Sequence, residues 1–122
     1  MTEKRRKLRM DKFTNACLII DRGVFPLNRE TISIGRKLTN DCVINDLSVS
    51  REHAKIAFED ESFVLYDAGS TLGTFVNNQR VEKVVLHSGD IILFGQFPVM
   101  FILDDLKELA KYGKATGHLR SE

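Results

Sequence analysis

Between Ala16 and Leu103 apolar and polar side chains alternate with a period close to two. Ile32 and Ile34 alternate with Thr31 and Ser33, while Ala54, Ile56 and Phe58 alternate with Lys55, Ala57 and Glu59. Successive side chains of an extended chain point to opposite faces, so the pattern predicts short strands, most with one face buried. Phe63 and Leu65 oppose Val64 and Tyr66, which predicts one strand covered on both sides. Turn formers arrive at strand-sized intervals, at Asp21-Arg22-Gly23, Leu27-Asn28-Arg29, Glu59-Asp60-Glu61, Asn77-Asn78 and His87-Ser88-Gly89-Asp90. Short strands at this spacing predict an all-β sandwich or barrel. Asn77-Asn78 suits a tight hairpin, because asparagine tolerates the positive φ of a primed turn.

After Leu103 the pattern changes. Acidic Asp104 and Asp105, then Leu106, Leu109 and Ala110 on one helical face, Lys111 near the end and Gly113 as a stop predict a short C-terminal helix packed on the sandwich. The chain thus divides into a basic flexible tail over 1–14, a β domain over 15–103, a helix over 104–113 and a flexible tail over 114–122.

The 122 residues fit one domain, and 43% hydrophobic with 29% charged residues is a globular composition. The longest apolar runs, such as Val99 to Leu103, fall far short of the roughly 20 residues of a membrane helix. The charged N-terminus is not followed by an apolar stretch of the secretory kind, so a cytoplasmic location without membrane contact is expected. Cys17 and Cys42 lack metal or redox spacing and read as two reduced, buried thiols. Residues 1–12 hold six basic and two acidic side chains, leaving the body acidic although the whole chain is +1. With no aromatic residue before Phe13 for base stacking, the basic run reads as a solvated tail, and nucleic acid is not an expected partner.

Three polar clusters lie where strands meet loops: Ile34-Gly35-Arg36, Ser48 to His53, and Gly69 to Thr74. They offer a guanidinium fork, hydroxyls and glycine-freed amides, the groups that bind a phosphate. In order, Gly35-Arg36, Ser50-Arg51-Glu52-His53-Ala54, Asp67, Ser70-Thr71, Gly73-Thr74, Asn77, Leu86, Gly89-Asp90 and Phe94-Gly95 closely resemble the forkhead-associated (FHA) domain. The resemblance covers roughly Ala16 to Leu103. It implies an FHA-like β-sandwich of about eleven short strands whose loops at one end bind phosphothreonine peptides.

Carried over position by position, the resemblance assigns Arg36, Ser50 and Thr71 to the phosphate, with Arg51 beside them. It assigns Ser48 and Leu72 to the peptide, and Gly35, His53, Gly73 and Asn77 to support of the site. Leu72 departs from the family's pattern, which commonly has a main-chain-binding asparagine there. A leucine cannot make that bond; it offers an apolar contact instead, or marks a domain that docks without phosphate. Ser50, His53 and Asp67 also invite a hydrolase reading, but no Gly-x-Ser-x-Gly elbow or oxyanion hole accompanies them, and no catalytic role is expected. The resulting expectation is a monomeric, non-enzymatic adaptor that binds a phosphothreonine-bearing protein, itself a Ser/Thr kinase substrate, with no cofactor and no metal. The alternative is a phosphate-independent interaction or assembly module on the same fold.

Overall fold

The computed structural model describes residues 14–105. Eleven strands follow in order: β1 (Thr14–Ile20), β2 (Gly23–Pro26), β3 (Thr31–Gly35), β4 (Cys42–Val43), β5 (Ala54–Glu59), β6 (Ser62–Asp67), β7 (Thr74–Val76), β8 (Gln79–Arg80), β9 (Lys83–Val85), β10 (Ile91–Phe94) and β11 (Phe97–Asp105). They form a six-stranded sheet in the order β2-β1-β11-β10-β7-β8 and a five-stranded sheet in the order β4-β3-β5-β6-β9. The paired strands are antiparallel except β3 and β4, which run parallel. Among the described residues there is no helix, and so none long and apolar enough to cross a membrane.

The alternation decides which face each strand buries. Ile32 and Ile34 of β3 sit opposite Ile56 and Ala54 of β5, and Ile56 sits opposite Leu65 of β6, so one row of apolar side chains lines the inner face. From the other sheet Leu18, Ile92, Phe94 and Phe101 meet them, all fully buried. The Phe63 ring lies 4.8 Å from Phe58 and 5.7 Å from Phe101, filling the layer between the sheets. Covering of β6 on both sides holds: Val64 points away from this core but is buried between Ala57 of β5 and Val85 of β9. Asn77 and Asn78 turn β7 into β8 with φ of 49° and 73°, the primed hairpin read from their sequence.

Two expectations are corrected. Asp104 and Asp105 do not open a helix but extend β11, pairing with Asn15 and Thr14. The edge of β1 offers them ladder hydrogen bonds, which outweighs a local start signal, so the β framework runs from 14 to 105. The remainder of the expected helix, both expected tails and the basic run lie outside the described residues, Thr14 excepted. Cys42 is buried as expected, whereas Cys17 is only half-buried. Burial, with the Asp41 charge adding to it, pushes the Cys42 thiol up to about 11, so it stays protonated near neutral pH.

Candidate functional site

At the end of β3 the chain passes extremely close to the β4–β5 loop. The Arg36 amide donates to Ser50 O at 2.9 Å, the Lys37 amide to Arg51 O at 3.2 Å, and the His53 amide to Ile34 O at 2.9 Å. The approach requires Gly35, since a Cβ there would stand 2.2 Å from Arg51 O. Asn40 closes the same corner, its Nδ2 donating to Arg51 O at 2.8 Å and to Lys37 O at 2.9 Å. Held this way, the half-buried Arg36 donates its Nε to Val49 O at 3.0 Å. Its two terminal Nη groups have no partner among the described residues, so the fork that recognises an oxyanion is left open.

Ser50 joins this corner to the β6–β7 loop. Its Oγ accepts the Thr71 amide at 2.9 Å, bringing Thr71 beside Ser50 although 21 positions separate them. The Ser50 hydroxyl proton and the Thr71 hydroxyl have no protein acceptor among the described residues. The loop is shaped from below by Asp67. Its Oδ1 accepts the hydroxyls of Ser70 and Thr74, both at 2.6 Å, and its Oδ2 accepts the amides of Gly69 at 2.9 Å and Ser70 at 3.1 Å. Burial pushes the Asp67 carboxyl up, but these four hydrogen bonds outweigh it and hold the group below the usual carboxylate range.

His53 is the fully buried link between the two loops. Its Nδ1 accepts the Ser50 amide at 2.9 Å, which leaves the proton on Nε2 to be donated to Gly73 O, 3.0 Å away. Its ring sits edge-on to Phe94 at 5.5 Å. Desolvation lowers its pKa, with the Gly73 carbonyl and the Asp67 charge opposing, and the balance keeps it below the ordinary value of 6.5. Nitrogen-detected NMR is therefore expected to show His53 as the neutral Nε2–H tautomer at pH 6.5. The unfolded chain takes up this proton more readily than the folded one, so stability should fall as pH drops below about 6.5. A charged ring with both nitrogens protonated at that pH would contradict the assignment.

The same bonds do not assemble the relay that a hydrolase reading of Ser50, His53 and Asp67 requires. His53 meets the amide of Ser50 rather than its hydroxyl, and Asp67 is engaged by Ser70 and Thr74, so these three side chains do not form a proton relay.

Of the residues expected at the site, Arg36, Ser50 and Thr71 come together on one bonded frame, with Gly35, His53 and Gly73 inside it. Arg51 is exposed beside them, its carbonyl holding the corner while its side chain has no partner among the described residues. Leu72 is exposed next to Thr71. Ser48 is placed differently from the peptide contact expected of it. Its Oγ donates to Asp46 at 2.7 Å and accepts the Gln96 amide at 2.9 Å, so it ties the β4–β5 loop to the β10–β11 turn. Asn77 bonds Asp90 and the Ile91 amide at the far end of β7, and supports the hairpin rather than the binding loops. Asn40, Asp46 and Ser70 were not singled out from the sequence as loop supports. Asp67-Ala68-Gly69-Ser70 carries the available signal, since an aspartate two and three residues before free amides favours a turn.

Two packed sheets thus gather the open Nη groups of Arg36 and the hydroxyls of Ser50 and Thr71 from three loops at one end of the sandwich. The chain belongs to the forkhead-associated family: the model of the FHA domain matches residues 32–95. It is 37% identical over 93 residues to the glycogen accumulation regulator GarA of Mycolicibacterium smegmatis, covering 72% of this chain and 59% of that protein. It is 39% identical over 90 residues to the oxoglutarate dehydrogenase inhibitor of Corynebacterium diphtheriae, covering 70% of this chain and 63% of that protein. The chain therefore spans less than two thirds of either relative. Among solved structures it is similar, at a TM-score of 0.71 and 30% identity over 75% of this chain and 99% of the other, to one from a structural and functional analysis of phosphothreonine-dependent FHA domain interactions.

Proposed function

We propose that this domain is a non-enzymatic reader of phosphothreonine that docks a regulatory protein onto targets of a Ser/Thr kinase. The observation that carries the reading is the convergence of open donors: the Nη groups of Arg36 and the hydroxyls of Ser50 and Thr71 occupy one frame held by backbone bonds. A phosphate dianion accepts several charge-assisted bonds at once and rewards such an arrangement. Arg51 adds charge at the rim. One chain supplies every donor, so a monomer suffices, and the cytoplasm supplies the ATP-dependent kinases the reading requires. Membership of the family and the phosphothreonine dependence of the similar structure support the same ligand.

Fluorescence anisotropy with matched phosphothreonine, phosphoserine and unphosphorylated peptides tests this. Phosphothreonine is expected to bind more than about 100-fold tighter than the unphosphorylated form, and several-fold tighter than phosphoserine because of one buried methyl. Ser50→Ala and Thr71→Ala should each weaken it about tenfold, the effect of one bond to a charged group. Equal affinity for phosphorylated and unphosphorylated peptides would refute phosphate reading and leave a phosphate-independent module.

A further inference from the structure

Three leucines are held out into solvent at the same end of the domain: Leu38 is 86% exposed, Leu47 91% and Leu72 48%. Each occupies the tip of a four-residue turn closed by a bond that does not involve it. Lys37 O accepts the Asn40 amide at 3.1 Å, Asp46 O accepts the Val49 amide at 2.9 Å, and Ser70 Oγ accepts the Gly73 amide at 3.0 Å. Leucine does nothing for such turns, which favour Gly, Asn, Asp, Ser or Pro at their tips. One exposed leucine is ordinary. Three on three separate turns break the local rule in the same way, and such departures concentrate where a protein binds something.

The first two turns directly adjoin Arg36 and Ser50, and the third contains Thr71. Leu38 follows Arg36 by two positions, Leu47 precedes Ser50 by three, and Leu72 adjoins Thr71. Bonds from the Arg36 amide to Ser50 O and from the Thr71 amide to Ser50 Oγ join the loops, so the leucines ride on the same frame as the donors. Ser48, with its hydroxyl tied to Asp46 and Gln96, adds no free donor for a polar flank, and Lys37 is matched by Glu52 at 3.7 Å.

Resting on the phosphothreonine reading above, we infer that Leu38, Leu47 and Leu72 form an apolar rim that selects phosphothreonine segments with apolar side chains on both sides of the phosphorylated residue. An extended segment advances about 3.3 Å per residue, so three residues on either side reach roughly 10 Å each way from the phosphate. Partial burial of three leucines corresponds to about a tenfold preference over segments that leave them wet.

The test uses the full chain and labelled eleven-residue peptides with a central phosphothreonine, flanked by Leu, Ile and Val, by Ser and Gly, or by Asp and Glu, each beside its unphosphorylated form. The apolar-flanked phosphopeptide is expected to bind about tenfold tighter than the Ser/Gly one. In the Leu38→Ser/Leu47→Ser/Leu72→Ser variant, and in part in each single variant, that ratio should collapse to within twofold. Melting temperatures verify that the variants remain folded. A ratio within twofold in the unaltered chain, a ratio that survives the triple variant, or tightest binding of the acidic flank each overturns the rim while leaving phosphate dependence standing. Loss of any difference between phosphorylated and unphosphorylated forms overturns the phosphothreonine reading and the rim's ligand with it.

Discussion

Replacing Arg36 with alanine is expected to weaken phosphothreonine peptide binding by at least about 100-fold while the domain stays folded. The guanidinium presents two open Nη groups, and each hydrogen bond to a charged acceptor contributes about 1.5–3 kcal/mol, so losing both exceeds two decades of affinity. The structural cost is smaller: one bond is lost, from Nε to Val49 O at 3.0 Å. That is roughly 1 kcal/mol, within what a domain of this size tolerates. Arg36→Lys keeps the charge but not the fork, and should recover only part of the affinity. Binding of the alanine variant within twofold of the unaltered chain would remove Arg36 from the mechanism.

The second large effect is on the fold. Gly35→Ala puts a Cβ 2.2 Å from Arg51 O and 2.9 Å from its carbonyl carbon, where no flexible side-chain end can yield. The β4–β5 loop must move away, and the bonds from the Arg36 amide to Ser50 O and from the Lys37 amide to Arg51 O are strained or broken. A loss of about 2–4 kcal/mol follows, which at about 4–8 °C per kcal/mol lowers the melting temperature by roughly 10–30 °C. Gly23→Ala is the control: its nearest contact is Ile20 O at 3.7 Å, ordinary packing distance, and its effect should stay within about 0.5 kcal/mol. Equal melting temperatures for the two variants would contradict the close approach. The Gly35 variant should also bind phosphopeptide weakly, because Arg36 and Ser50 would no longer share a frame.

Features governed by neighbours in the chain were legible from the sequence. Alternation at Ile32, Ile34, Ala54 and Ile56 announces buried strand faces, and Asn77-Asn78 announces its turn, because the physics of each is local. The two-residue strands β4 and β8 are too short to carry a period. Asp104 and Asp105 were misread because the strand that claims them, β1, lies some ninety positions earlier. At the site, residue types pointed to phosphate and the family resemblance supplied the roles. The connecting bonds were not legible: His53 acts through Gly73 O, 20 positions away, and Ser48 through the Gln96 amide, 48 positions away. A hydroxyl held internally and one offered to a ligand look identical in a sequence, which is why Ser48 was expected on the peptide and Ser70 was not recognised as a loop brace.

Lys37 O, Asp46 O and the Ser70 hydroxyl fasten the turn ends, and none of the three leucine side chains takes part. Substitutions at positions 38, 47 and 72 are thus uncoupled from folding stability, whereas those at 35, 53 or 67 are not. Exchanging any one of these three leucines should therefore leave the sandwich folded, so its effect on ligand choice can be measured apart from its effect on the fold.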